Sequence, residues 1–294
     1  MESGKRKKIL IIFSIFCCIC LYNFKNTYAN SVEKEKEFII SGFKYNISLI
    51  KSAQLDFKVC DKMGQTKKEG KWFFKPGSER VDLIETADGQ VTRISYIYTD
   101  TKTYIIGYQT DKIESVSLGL SVYYIQQEIR SALTPSFIFL HLWPVGATLE
   151  ELVTQSTSYR LEIFEGSKCF KMEIPKFEKE FKGYGRANYP ALSYKIWLSV
   201  EEGFLPKKID IYMNQKKVME IGPIIMNKFD NNIWFPKETK IIWFSGGEKK
   251  EEGYIEYSNI KINSEIENKV FTPVFPPGTK IIDYRTGTTF IPEK

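Results

Sequence analysis

Apolar residues recur at every second position through most of this chain. In AQLDFKVC, residues 53–60, Leu55, Phe57 and Val59 alternate with Asp56 and Lys58, the pattern of a strand with one face buried. The same period predicts strands over 70–75, 79–85, 91–99, 102–108, 158–164, 168–174, 193–200, 206–213, 217–227, 233–244 and 253–262, with a closing strand at 280–284. Asp88-Gly89, Glu165-Gly166 and Gly246-Gly247 punctuate them as turns. Many strands joined by short turns predict an antiparallel meander, not βαβ units.

Two stretches break this period. Over 32–50, Val32, Phe38, Ile39, Phe43, Ile47 and Ile50 fall on one helical stripe, interrupted by Gly42. The stretch 121–146 reads as a helix to Leu133. Pro135 then restarts a short apolar segment containing Phe137, Ile138, Phe139, Leu140, Leu142 and Trp143. Thr148 and Glu151 have the spacing of a capping box, which predicts a further helix to about Thr154. Helices inserted in a meander must lie on one face of it. The expected fold class is therefore α+β and β-rich: a strongly curved antiparallel sheet whose concave face is covered by helices. The segment 175–192 is the most loop-like, but no shift in composition marks a boundary, so 30–294 is expected to be a single domain.

Residues 1–29 stand apart. MESGKRKK is basic, ILIIFSIFCCICLY is an apolar run of 14 residues, and Ala29 precedes a plausible cleavage point. Spanning a membrane takes about 20 apolar residues, so this is read as a secretory signal peptide. The rival reading is an uncleaved anchor in the inner membrane. The segment carries five cations against Glu2, a net of +4, out of +6 for the whole chain. The mature part is thus nearly neutral, which removes the argument for a nucleic-acid partner. Of five cysteines, only Cys60 and Cys169 remain beyond the signal. An even pair in an oxidising compartment suggests a disulfide between them, with two independent thiols as the alternative.

No catalytic set emerges. His141 is the sole histidine and sits in the apolar run FLHLWP. No nucleophile elbow, P-loop or zinc-ligand spacing is present. No metal or cofactor is expected, and an enzyme is the disfavoured reading. What remains is an apolar lining. Alternation puts Trp72 and Phe74 on one face of their strand and Phe73 on the other. Tyr104 and Ile106 share a face, as do Phe170 and Met172, and Ile209 and Ile211. On a curved sheet these faces line a concavity, roofed by 32–50 and by Phe137, Leu140 and Trp143. Whether that interior is a cavity or a filled core stays open at this level.

The order of these features resembles the LolA/LolB-like superfamily of lipoprotein carriers, in the branch of outer membrane lipoprotein-sorting proteins. The likeness rests on the signal peptide, the first helix and Trp72-Phe73-Phe74-Lys75-Pro76. It rests further on the Asp88-Gly89 hairpin, the central insertion and the ending FTPVFPPGTKIIDYR, Phe271 to Arg285. The resemblance implies a half barrel of about eleven strands, a lid of helices and a hydrophobic cavity for acyl chains. It implies a non-catalytic periplasmic carrier, with inner- and outer-membrane lipoprotein transport components as partners. It also implies a lid latch at the residue before the proline, which here is Lys75. A lysine lacks the arginine fork, and Arg80 is the nearby alternative. A sensor of the RseB-like type, built on the same fold, is the competing function.

Overall fold

The computed structural model describes residues 32–87, 90–99, 103–109, 112–119, 148–177, 192–283 and 286–291. Several expectations lie outside these residues: the signal peptide, the Asp88-Gly89 turn, the 121–133 helix, His141, and the roof residues Phe137, Leu140 and Trp143.

Helix α1 covers 32–48. Six strands follow: β1 (Ala53–Asp61), β2 (Thr66–Lys75), β3 (Ser78–Ala87), β4 (Gln90–Thr99), β5 (Thr103–Gln109) and β6 (Lys112–Gly119). Helix α2 (Leu149–Gln155) leads into β7 (Ser158–Phe164), β8 (Ser167–Phe177), β9 (Leu192–Ser199) and β10 (Pro206–Met213). Then come β11 (Lys216–Phe229), β12 (Ile233–Ser245), β13 (Glu248–Ile262), β14 (Ile281–Asp283) and β15 (Thr288–Phe290).

All fifteen strands belong to one open sheet, ordered β15-β14-β6-β5-β4-β3-β2-β1-β13-β12-β11-β10-β9-β8-β7. Each neighbouring pair is antiparallel except β14 with β6, which is parallel. The count exceeds the eleven or so that the resemblance implied. Strand β6 escapes the alternation because its apolar residues Ile113, Val116 and Leu118 are not evenly spaced. Strand β15 is too short to show a period. Strand β8 also runs to Phe177, into the stretch read as loop, because Phe177 is buried edge-on against Tyr194, 5.8 Å away.

The curvature is recorded by one contact. Trp72 on β2 and Phe235 on β12 have ring centroids 6.1 Å apart. Their strands are separated by β1 and β13. In a flat sheet three strand spacings amount to about 14 Å. Side chains on this face therefore converge, and the face is concave.

Both described helices sit on it. Helix α1 buries Ile39 and Phe43. Helix α2 buries Leu149, Leu152 and Val153 behind the Thr148–Glu151 capping box that the sequence predicted. The two are tied by Lys36 Nζ donating to the Thr154 carbonyl at 3.1 Å and by a Lys44–Glu150 ion pair at 2.8 Å. Between α1 and the sheet lies Phe204, whose φ of 60° is in the left-handed region. A bulky residue is strained there. Its burial between Phe38, at 5.1 Å, and Phe170, at 6.2 Å, holds it in place. Gly42 makes room for it, since a Cβ at Gly42 would lie 2.3 Å from the Phe204 ring.

Gly42→Leu should therefore destabilise the protein by about 2–3 kcal/mol, as overpacked cores do. Lys44→Ala, which removes only an exposed ion pair, should cost under about 1 kcal/mol. Urea melts followed by circular dichroism measure both.

The interior also contains phenols. Burial pushes Tyr159 up to about 12 from the ordinary 10.0, and burial raises Tyr194 and Tyr257 further. Unfolded tyrosines lose their protons first as pH rises, near 10. Their contribution is complete below pH 10 and is lost as pH climbs toward and past about 12. The urea midpoint should hold between pH 8 and 9.5 and fall at pH 11. An unchanged midpoint at pH 11 would contradict the buried placement.

Candidate binding face

The strand pairings carry the concave face in continuous rows. Met172, Ile196, Ile209, Ile221 and Ile241 lie side by side across β8 to β12. A parallel row runs through Ile174, Tyr194, Ile211, Met219 and Trp243. On the other half of the sheet Tyr257, Phe57, Gly70, Leu83 and Ile94 form a third. These residues, Gly70 apart, join one hydrophobic cluster with the buried residues of α1 and α2. Gly70 interrupts its row because the Phe57 ring fills its place, 2.8 Å from where a Cβ would sit. Charges on this face lie toward strand ends, as in the Lys68–Glu85 pair at 2.9 Å.

Six of the sequence-predicted lining residues fall in this cluster. Trp72, Met172, Ile209 and Ile211 are fully buried, and Phe74 and Phe170 pack partly buried against them. Trp72 stacks on Phe74 with centroids 5.6 Å apart and donates through its indole N–H to Glu79. Phe73, on the opposite face, is outside the cluster. Gly42, Phe204 and the tyrosines Tyr194 and Tyr257 also shape this interior, and none of them was singled out by the sequence as lining. Tyr194 and Tyr257 had a signal, since each holds an apolar position in an alternating strand.

Tyr104 and Ile106 do not belong there. The pairings align Trp72 with Val81, Tyr96 and Ile105, so Ile105 is the concave residue of β5. Ile106 instead joins Ile97, Val116 and Ile281 in a second cluster on the convex face, with Tyr104 packed against Phe275 at 6.0 Å. The cause is local. Tyr104-Ile105-Ile106 is apolar on both faces, so period 2 does not select one. The chain after β13 covers the convex side of β3 to β6 and gives that second face something to bury against.

The lid-latch assignment changes for the same reason. Lys75 pairs with Ser78, and Arg80 with Phe73, so both point to the convex face, away from α1 and α2. There they grip a 3-10 turn at Asn268–Phe271. Arg80 Nη1 donates to the Val270 carbonyl at 3.0 Å while its Nε lies 2.9 Å from Asp82 Oδ1. Ser95 Oγ donates to the same carboxylate at 2.6 Å. Lys75 Nζ donates to Asn268 Oδ1 at 3.0 Å. Among the described residues these two cations fasten the C-terminal segment to the sheet rather than a helix to its rim.

The proposed disulfide is absent. Cys60 on β1 and Cys169 on β8 are both free and buried, with β13, β12, β11, β10 and β9 between their strands. Burial pushes the Cys169 thiol up to about 11. It sits near the Lys207–Glu202 ion pair, 2.8 Å long and largely buried. The turn before β10 tucks Glu202 inward.

The convex face toward β7 mixes charged side chains with aromatic rings. Trp197 donates to Glu162, with Lys171 4.9 Å and Lys208 5.4 Å from its ring centroid. Burial pulls the Glu162 carboxyl upward. The Trp197 bond and the charges of Lys171 and Arg160 outweigh it and hold the group below the usual range. Lys217 bridges Asp210, at 3.0 Å, and Glu220. Among the described residues no three His, Cys, Asp or Glu gather closely enough to hold a metal ion, and no helix is long and apolar enough to cross a membrane.

No protein-family model matches the chain, and the search of curated proteins gave no match. Solved structures do resemble it. An outer membrane lipoprotein-sorting protein domain from Vibrio parahaemolyticus aligns over 82% of this chain and 95% of its own, with 11% identity and a TM-score of 0.47. The lipoprotein LppX of Mycobacterium tuberculosis aligns over 80% and 98%, with 10% identity and a TM-score of 0.33. LprF of Mycobacterium bovis aligns over 80% and 97%, with 11% identity and a TM-score of 0.31.

Two measurements test this placement. Arg80→Ala removes a half-buried, charge-assisted bond to a backbone carbonyl and should cost about 2 kcal/mol. Lys75→Ala should cost under about 1 kcal/mol; equal losses would contradict the unequal burial. In the native protein at pH 8, Cys60 and Cys169 should resist iodoacetamide and react only after denaturation, read by peptide mass mapping.

Proposed function

We propose that this protein binds acyl chains of a lipid or lipoprotein on its concave face and carries them without catalysis. The supporting observation is the set of apolar rows in register, which place no charge at the centre of the concavity. Phe74 and Phe170, which are only partly buried, are the proposed first contacts, with Trp72, Met172, Ile209 and Ile211 lining the interior behind them. Such a surface takes up hydrocarbon by displacement of water, worth about 0.8 kcal/mol per buried CH₂. The contacts are non-directional, so chain length is selected more strongly than chain identity. On this reading residues 1–29 export the protein to the periplasm, residues 30–294 act as one half-barrel unit, and donor and acceptor are membrane components of lipoprotein transport.

The purified protein should show co-purifying lipid by native mass spectrometry, or bind a fluorescent fatty acid such as cis-parinaric acid. Phe74→Glu should weaken probe binding at least tenfold, about 1.4 kcal/mol, and Phe73→Glu less than threefold. Apo protein alone together with no probe uptake would sink the proposal.

A further inference from the structure

The two ends of the sheet are treated differently. One ends in β15, only three residues long. The other ends in β7, Ser158–Phe164, seven residues with an unbroken register against β8. Among the described residues nothing pairs with the outer edge of β7. Natural edge strands are blunted by brevity, bulges, proline or charged side chains; β7 has only the last, and its two charges, Arg160 and Glu162, are of opposite sign on the convex face. On its concave side it is also apolar where it meets solvent. Leu161 is 47% and Ile163 69% exposed, and Phe38 of α1, on the same side of the sheet, is 56% exposed.

The sequence of β7, SYRLEIF, is complementary to itself when run antiparallel about its centre. In that register Leu161 meets Leu161 of the second copy, and Tyr159 meets Ile163, all on the concave side. On the convex side Arg160 meets Glu162, twice by symmetry. Arg160, 70% exposed, already lies 3.1 Å from Glu162 of its own strand, so little reorientation is needed to face the same carboxylate across the pair. Opposite charges set directly across a ladder are favourable, and a two-fold axis through one residue pair is the usual closed symmetry of a dimer.

We infer that β7 is a homodimerisation edge, joining two copies into one continuous sheet with Leu161 on the two-fold axis. Seven residues are a small interface beside the roughly 800 Å² per partner of a standard one, so the dimer is weak and concentration-dependent. The inference stands independently of lipid binding.

The test is sedimentation equilibrium of the purified protein from about 1 µM to about 500 µM. A monomer–dimer transition is expected. Arg160→Glu sets like charges across the pair and should weaken association at least tenfold without changing the circular dichroism spectrum, as should Glu162→Arg. Mixing these two variants restores both opposite-charge pairs and should restore dimers. Leu161→Cys should give a disulfide-linked dimer on mild oxidation, and Ile163→Cys should not; this arm does not depend on the folding of Glu162→Arg. A monomer at all concentrations overturns the inference, as does a dimer indifferent to Arg160→Glu. Strong hydrogen-exchange protection, in dilute monomer, of those β7 amides that point away from β8 also overturns it, because another segment of the same chain would then cover the edge.

Discussion

The contact between Trp72 and Phe235 sets the rest of the structure. It exists only because the sheet bends enough for side chains three strands apart to meet. Once the sheet bends, its two faces obey different rules. On the inner face side chains converge, water is squeezed out, and only apolar residues with a few polar tips can be accommodated. On the outer face they splay apart, leaving room for lysines to lie over aromatic rings, as Lys171 and Lys208 do over Trp197. The ion pairs of that face are partly exposed and contribute little stability singly.

A bent open sheet must be held in shape at its ends. At the β8–β9 end this is done by α1 and α2, keyed by Phe204 in its strained conformation against Gly42. At the β3–β6 end it is done from outside. The chain leaves β13, is gripped by Arg80 and Lys75 at the 3-10 turn, and comes to lie beside β6 as β14, with β15 outside it. Asp82 organises this grip, since it meets Arg80 and Ser95 together. The polar cluster therefore belongs to the frame of the molecule. The concave face is left apolar.

Much of this was legible in the sequence, for identifiable reasons. Where polar residues alternate strictly with apolar ones, as in β1, facing follows from the two-residue period. The period also separated Trp72 and Phe74 from Phe73, though in a run of three apolar residues it does not by itself choose the inward set, and the capping box announced α2. Facing was not legible in β5, where three apolar residues run together, nor in β6, where the apolar spacing is uneven. The latch role given to Lys75 and Arg80 failed similarly. Their positions along the strand were right, but the element they meet lies some 190 residues further on.

The chain alone thus determined a β-rich meander, most strand positions, one helix cap and a largely apolar lining, because these depend on periods and turns within a few residues. Tertiary structure decided the strand order, the second apolar cluster under the C-terminal segment, the separation of Cys60 from Cys169 and the partners of Arg80. Those depend on which distant segments the bend brings together. No local period encodes that, because one alternating strand can pair with any other.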